Sequence, residues 1–180
     1  LGLPLATGQT PALPPTQQTA AQTGDPAFLA SLTSQERDWL RQHPIVSAVA
    51  DPSWPPMEFF DDRGQLRGIA IDYLDLIEAK LGIKFERVLS PAWGESYQRL
   101  KLHELDMATC VSATPQREKF WIFTQPYNSS PVVIFTRTDV TYIADIRELK
   151  GKTVAVVDGS SVEEWVETDY PQISVTKVRG

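Results

Sequence analysis

The stretch SATPQREKFWIFTQPY, residues 112–127, sets Ser112, Thr114, Pro115 and Arg117 within six positions. Thr114 followed by Pro115 reads as a helix N-cap and a first helical position. The free N–H groups at such a start favour an anion. Arg117 adds a planar fork suited to a carboxylate. The stretch follows a predicted strand ending near Val111, and ligands of open α/β sheets sit outside the carboxyl ends of strands. Two roles fit the spacing. Thr114 and Arg117 form a carboxylate seat on an exposed rim, or Thr114 only caps the turn and Arg117 only pairs with Glu118 or Asp106.

Two other stretches have similar logic. ADPSWPPMEFF, residues 50–60, follows the first predicted strand and shares that rim. Its prolines stiffen the loop. Trp54 and Phe59 can wall a ligand, with Asp51 or Glu58 facing a cation, or they can simply cap the edge of the core. DGSSVEEW, residues 158–165, places Gly159 in a tight turn after a strand. Ser160 or Ser161 then caps a helix, each with a glutamate three residues on, Glu163 or Glu164. This is either a second anion site or a cap alone. It is no phosphate loop, because the Gly-x-x-x-x-Gly-Lys pattern is absent.

Other chemistry finds little support. The only histidines, His43 and His103, lack metal-ligand spacing and an evident nucleophile partner. The single cysteine, Cys110, rules out an internal disulfide and a Cys-rich metal site, and reads as a small buried hydrophobe. No cofactor and no metal are expected. A net charge of −6 argues against nucleic acid as a partner, which would call for a basic stripe. No run of about 18 apolar residues marks a membrane span.

The elements that would position these residues alternate. Residues 1–31, rich in Pro, Gln and Thr, read as a disordered tail. Thr33 and Glu36 predict a capping box for a helix that Pro44 stops near Gln42. IVSAVA, residues 45–50, predicts a buried strand, and a loop with a turn at 62–64 follows. Ile71, Leu74, Ile77 and Leu81 predict a helix that Gly82 ends. Residues 84–90 predict a strand. Ser90 and Pro91 start a helix carrying Trp93, Tyr97 and Leu100, and 105–111 form a third strand. After Pro131 the pattern predicts strands at 132–136, 153–158 and 173–178, with helices over 143–149 and 160–169. Such alternation implies a parallel α/β sheet. The organisation expected is a first lobe over 32–130 and the start of a second, incomplete lobe over 131–180.

Together, DPSWPPMEF (51–59), GIAIDYLDLIEAKLGI (68–83), LDMATCVSATPQREKFWIFTQPY (105–127) and LKGKTVAVVDGSSVEEW (149–165) resemble family 3 periplasmic solute-binding proteins of the amino-acid-binding type. The resemblance covers about 33–180. It implies a two-lobed Venus-flytrap fold, with the first lobe complete except for any returning C-terminal segment. In that family the Thr-x-x-Arg turn holds the ligand α-carboxylate, which carries over to Thr114 and Arg117, with Ser112 two positions before. The Gly-Ser-Ser helix start, here Gly159, Ser160 and Ser161, meets the same carboxylate. An aromatic, Trp54 or Phe59, covers the ligand side chain. The family often has an acid two residues after the glycine matched by Gly68; here Ala70 stands there, with Asp72 kept. The amine partner is an acid late in the second lobe, beyond Gly180.

The lead-in LTSQERDWLRQHPIVSAVADPSWPPMEFF (32–60) is similar to Venus-flytrap sensor domains that precede a membrane span in bacterial histidine kinases and diguanylate cyclases. The resemblance therefore implies a periplasmic sensor domain that binds a small carboxylate or amino acid and signals by hinge closure. It also implies tethering to the inner membrane through a C-terminal span, and a possible homodimer. The rival readings are the binding component of an amino-acid transporter and an enzyme on the same fold, a dehydratase or the front half of a lytic transglycosylase.

Overall fold

The computed structural model describes residues 23–89, 92–140 and 142–179. Most of the tail read as disordered lies outside them. Its end does not match that reading, because Pro26–Ser31 forms a short helix, α1. Asp25 caps it through Ala27 N–H and Phe28 N–H. Asp25 N–H also donates to Lys80 O at 3.0 Å, and Lys80 Nζ lies 5.3 Å from the Phe28 ring centre. These contacts give a polar segment the partner that composition does not reveal.

Helix α2 (Ser34–Gln42) carries the predicted capping box: Glu36 N–H donates to Thr33 Oγ1, and Thr33 N–H donates to Glu36. Strand β1 (Ile45–Ala50) then enters the core. The next segment, read as a loop, is a small antiparallel sheet of β2 (Ser53–Trp54), β3 (Glu58–Phe60) and β4 (Leu66–Arg67). Two- and three-residue strands are too short to show periodicity. Helix α3 (Ile69–Leu81) ends at Gly82, as its spacing predicts.

Strand β5 (Lys84–Leu89), helix α4 (Trp93–Lys101) and strand β6 (Met107–Ala108) complete a parallel sheet ordered β5-β1-β6. Ser90 and Pro91 lie outside the described residues. The N-cap of α4 is Ala92, so the expected serine cap is not the one that starts the helix. Strand β1 is buried on both faces. Val46 and Ala48 join Leu74, Ile83 and Phe85 on the α3 side, and Val49 joins Leu100 and Leu105 on the α4 side. Helices on both faces are the rule for parallel sheets.

Polar side chains, one buried and one exposed, tie these layers together. Glu78 on α3 accepts from Phe85 N–H at 2.7 Å and from Arg87 at 2.9 Å. Asp106 accepts from Ser47 N–H and Oγ, both at 2.7 Å, which holds its pKa below the usual carboxylate range.

A second unit follows. Strand β7 (Thr153–Val157), helix α5 (Ser161–Asp169) and strand β8 (Ser174–Val178) form a parallel β/α/β element around Leu149, Val166 and Ile173. The predicted helix over 143–149 is a single 3₁₀ turn, Ile146–Leu149. The predicted strand at 132–136 does not form. Val132, Val133, Ile134 and Phe135 are exposed and pair with no strand among the described residues. A β-branched run satisfies propensity, but a strand also needs a neighbour to bond to.

Candidate functional site

The carboxyl ends of β1 and β6 and the N-terminus of α5 meet at Arg117. A 3₁₀ turn, Arg117–Lys119, carries it, and Arg117 N–H donates to Thr114 Oγ1 at 3.2 Å. The cap–Arg spacing read from the sequence is therefore real. The exposure is not as expected: Arg117 is 1% exposed, not on an open rim. Its guanidinium carbon lies 5.9, 5.4 and 5.7 Å from the ring centres of Trp93, Tyr97 and Trp121. Such a cage favours a cation over its ring faces.

Every nitrogen of that guanidinium is engaged. Nε donates to Glu164 Oε1 at 2.9 Å, one terminal nitrogen to Ser112 O at 3.1 Å, and the other to Gly159 O at 2.8 Å. Thr114 Oγ1 donates to the second oxygen of Glu164. So the Thr114–Arg117 turn holds a carboxylate, and that carboxylate belongs to the chain itself. Neither partner considered for Arg117 from sequence fits: Asp106 is committed to Ser47, and the ion pair is made with Glu164.

The two units touch closely here. Trp93 Nε1 donates to Gly159 O at 2.8 Å, so this carbonyl accepts from both Trp93 and Arg117. At Gly94 the Asp158 carboxylate fills the space a side chain would take. A Cβ there would stand 2.5 Å from Asp158 Oδ2. Ser160 caps α5 by accepting from Glu163 N–H at 3.1 Å, while Glu163 accepts from Gly159 N–H at 2.7 Å. Of the two capping pairs considered, Ser160–Glu163 is formed. Glu164 is thereby free to turn toward Arg117.

A cavity of about 420 Å³ opens beside this contact. Asp51, Trp54, Ser112, Arg117, Ser160 and Ser161 all line it, so six of the eight predicted site residues are brought together. Thr114 faces a neighbouring cavity of about 380 Å³, which Glu164 also lines. The Arg117–Glu164 pair thus stands between the two spaces. Phe59 lines neither; it lies in β3, paired with Ser53 and Arg67. Trp93, Cys110 and Phe135 join the larger cavity without having been singled out as site residues. Burial raises the Cys110 pKa. Tyr97 is pushed up by burial and by the Glu164 charge.

Glu58 lies outside the cavity lining. It is 2% exposed, and it accepts from Asp51 N–H at 2.6 Å and from the Thr109 hydroxyl. Burial lifts its pKa to about 7, against the lowering effect of the Asp51 hydrogen bond. Among the described residues no group of His, Cys, Asp and Glu is placed to hold a metal ion. No described helix is long and apolar enough to cross a membrane.

Comparisons with known proteins agree with this fold. The model of the bacterial extracellular solute-binding proteins, family 3, matches residues 46–175. The virulence sensor protein BvgS of Bordetella pertussis is 31% identical over 143 residues, 79% of this chain but 12% of that protein's length. A probable amino-acid ABC transporter-binding protein of Haemophilus influenzae is 30% identical over 139 residues, 76% of this chain and 54% of its own. The crystal structure of the B. pertussis BvgS periplasmic domain superposes with a TM-score of 0.72 at 29% identity, covering 83% of this chain and 29% of that one. The architecture is that of the Venus-flytrap binding proteins, with β1–β6 in the first unit and β7–α5–β8 in the second. By the family model that matches residues 46–175 and by its Venus-flytrap architecture, the chain belongs to the bacterial extracellular solute-binding proteins, family 3.

Proposed function

We propose that this chain is the solute-binding part of an extracytoplasmic sensor. It takes a small carboxylate, an amino acid being the foremost class, between two lobes and reports closure to a membrane-anchored kinase or cyclase. The observation that carries the reading is the 420 Å³ cavity, walled by Asp51 and Trp54 from the first unit and by Ser160 and Ser161 from the second. A solute there touches both units at once and so binds the closed arrangement better than an open one. Differential affinity of that kind is what shifts a conformational balance. A micromolar complex needs about 8 kcal/mol, which a few charge-assisted hydrogen bonds of ~1.5–3 kcal/mol each and an aromatic wall can supply.

The sensor is preferred to a transport receptor because a sensor protein matches 79% of the chain. The transporter-binding relative, at 30% identity, keeps that role as the alternative. Binding is preferred to catalysis because Glu58, the buried acid with a raised pKa, is not among the residues that line the cavity. Asp51 is the carboxylate that does line it, and its oxygen accepts from Ser53 N–H at 3.0 Å.

The test is thermal unfolding of the full-length protein against a panel of amino acids and small carboxylates. Ligand at a hundred times its dissociation constant stabilises by about 2.7 kcal/mol. A shift of several degrees that also changes kinase or cyclase output supports the sensor. A shift without any output supports transport. No shift with any compound removes the reading.

A further inference from the structure

We infer that Glu164 is an internal ligand for the carboxylate seat, so that a free carboxylate must displace it to reach Thr114 and Arg117. The inference rests on the solute-binding reading of that seat and adds a competitor to it.

The geometry is that of a bound carboxylate. One Glu164 oxygen takes Arg117 Nε at 2.9 Å, and the other takes the Thr114 hydroxyl. Each terminal nitrogen of Arg117 donates to a carbonyl, of Ser112 and of Gly159, so a second anion finds Nε and the Thr114 hydroxyl already taken by Glu164. The glutamate comes from the second unit, 47 residues away, and not from the unit that carries the arginine. It is therefore a bond between units, in the place where a solute would otherwise make one. Two features make exchange feasible. The pair stands between the two cavities, so the seat has open space on either side. In addition, Glu164 is not needed to cap α5, because Ser160 and Glu163 already do so.

The consequence is a domain whose units rest against each other without solute. A solute carboxylate exchanges one closing contact for another, and the binding energy it can use is reduced by the cost of releasing Glu164. When a binding-competent state is only fractionally populated, apparent affinity falls by that fraction. A seat filled nine-tenths of the time by Glu164 would weaken a carboxylate by about tenfold.

Chemical rescue tests this. In the full-length protein, Glu164→Ala empties the seat, and acetate and formate are the probes. The expected result is an unfolding transition several degrees below wild type that acetate or formate raises and chloride at equal ionic strength does not. The rescue should vanish in Glu164→Ala/Arg117→Met. A wild-type transition in Glu164→Ala overturns the inference, as does equal recovery in chloride or rescue that survives in the double variant. If Glu164→Ala does not accumulate folded, Glu164→Gln decides. It keeps the volume and removes the charge, so wild-type stability there overturns the inference and a lowered transition supports it. The outcome is separable from the broader reading. Formate rescue with no panel compound binding would leave the internal ligand standing and remove the solute. Panel binding that Glu164→Ala leaves unchanged would do the reverse.

Discussion

Arg117 Nε and Glu164 Oε1 lie 2.9 Å apart, with side-chain exposures of 2% and 15%. A pair so nearly sealed is not a surface ornament. Removing one partner leaves the other charged and dry, which costs about 3–5 kcal/mol. Arg117→Ala is therefore expected to lower the stability of the domain, in addition to any loss of carboxylate binding. Denaturant unfolding of the variant measures this. A midpoint equal to wild type would place Arg117 in a wetter site than the one described.

How much of this was legible in the sequence depends on the length of each signal. Helix α3 was legible because Ile71, Leu74, Ile77 and Leu81 recur at helical spacing along its 13 residues and Gly82 marks its end. The Thr114–Arg117 turn was legible because a cap, a proline and an arginine sit close together. The β2–β4 hairpins were not, since two or three residues show no period. Glu164 was hidden for a different reason. Its position suits a capping box with Ser161, and only the three-dimensional choice of Ser160–Glu163 as the cap leaves it for Arg117. The exposure of Arg117 was misjudged because Trp93, Tyr97 and Trp121, which enclose it, come from separate stretches.

Gly94 and Asp158 offer a test of how tightly the units must approach. A Cβ at position 94 would meet Asp158 Oδ2 at 2.5 Å and Cγ at 3.2 Å. Gly94→Ala is expected to turn the Asp158 carboxylate aside and destabilise by about 0.5–1.5 kcal/mol, the cost of an off-rotamer side chain. Trimming the obstruction with Asp158→Ala should recover most of that loss. A double-mutant cycle on unfolding midpoints reads the coupling. Additive effects would mean that the contact does not limit closure.

Trp54 is 40% exposed and lines the larger cavity from the first unit. It makes little of the core, so Trp54→Ala should leave the unfolding midpoint within about 0.5 kcal/mol of wild type, the usual range for surface changes. Its effect should fall on which solutes bind, with bulky apolar side chains losing most. Ranking the amino-acid panel on wild type and variant checks this, and an unchanged ranking would remove Trp54 from the wall.

Glu58 predicts how stability varies with pH. Its pKa is lifted from 4.5 to about 7 in the folded protein, with burial as the first cause. Between these values the folded state holds a proton that the unfolded chain has lost. Stability should therefore fall as pH rises from 4.5 to 7, and the penalty is complete above 7. A shift of this size corresponds to roughly 3 kcal/mol. The groups around it are Asp51, Thr109, Cys110 and Tyr127, and none of them is a cation that would pair with the charge. Glu58→Gln keeps an acceptor for Asp51 N–H and removes the titration. Its unfolding free energy, measured against wild type from pH 4.5 to 8, should show a gain that grows with pH and levels off near neutrality. A difference that stays flat would mean that Glu58 is ionised without penalty. The Asp51 and Thr109 donors would then be offsetting its burial, and the carboxyl beside Asp51 would be charged rather than neutral below pH 7.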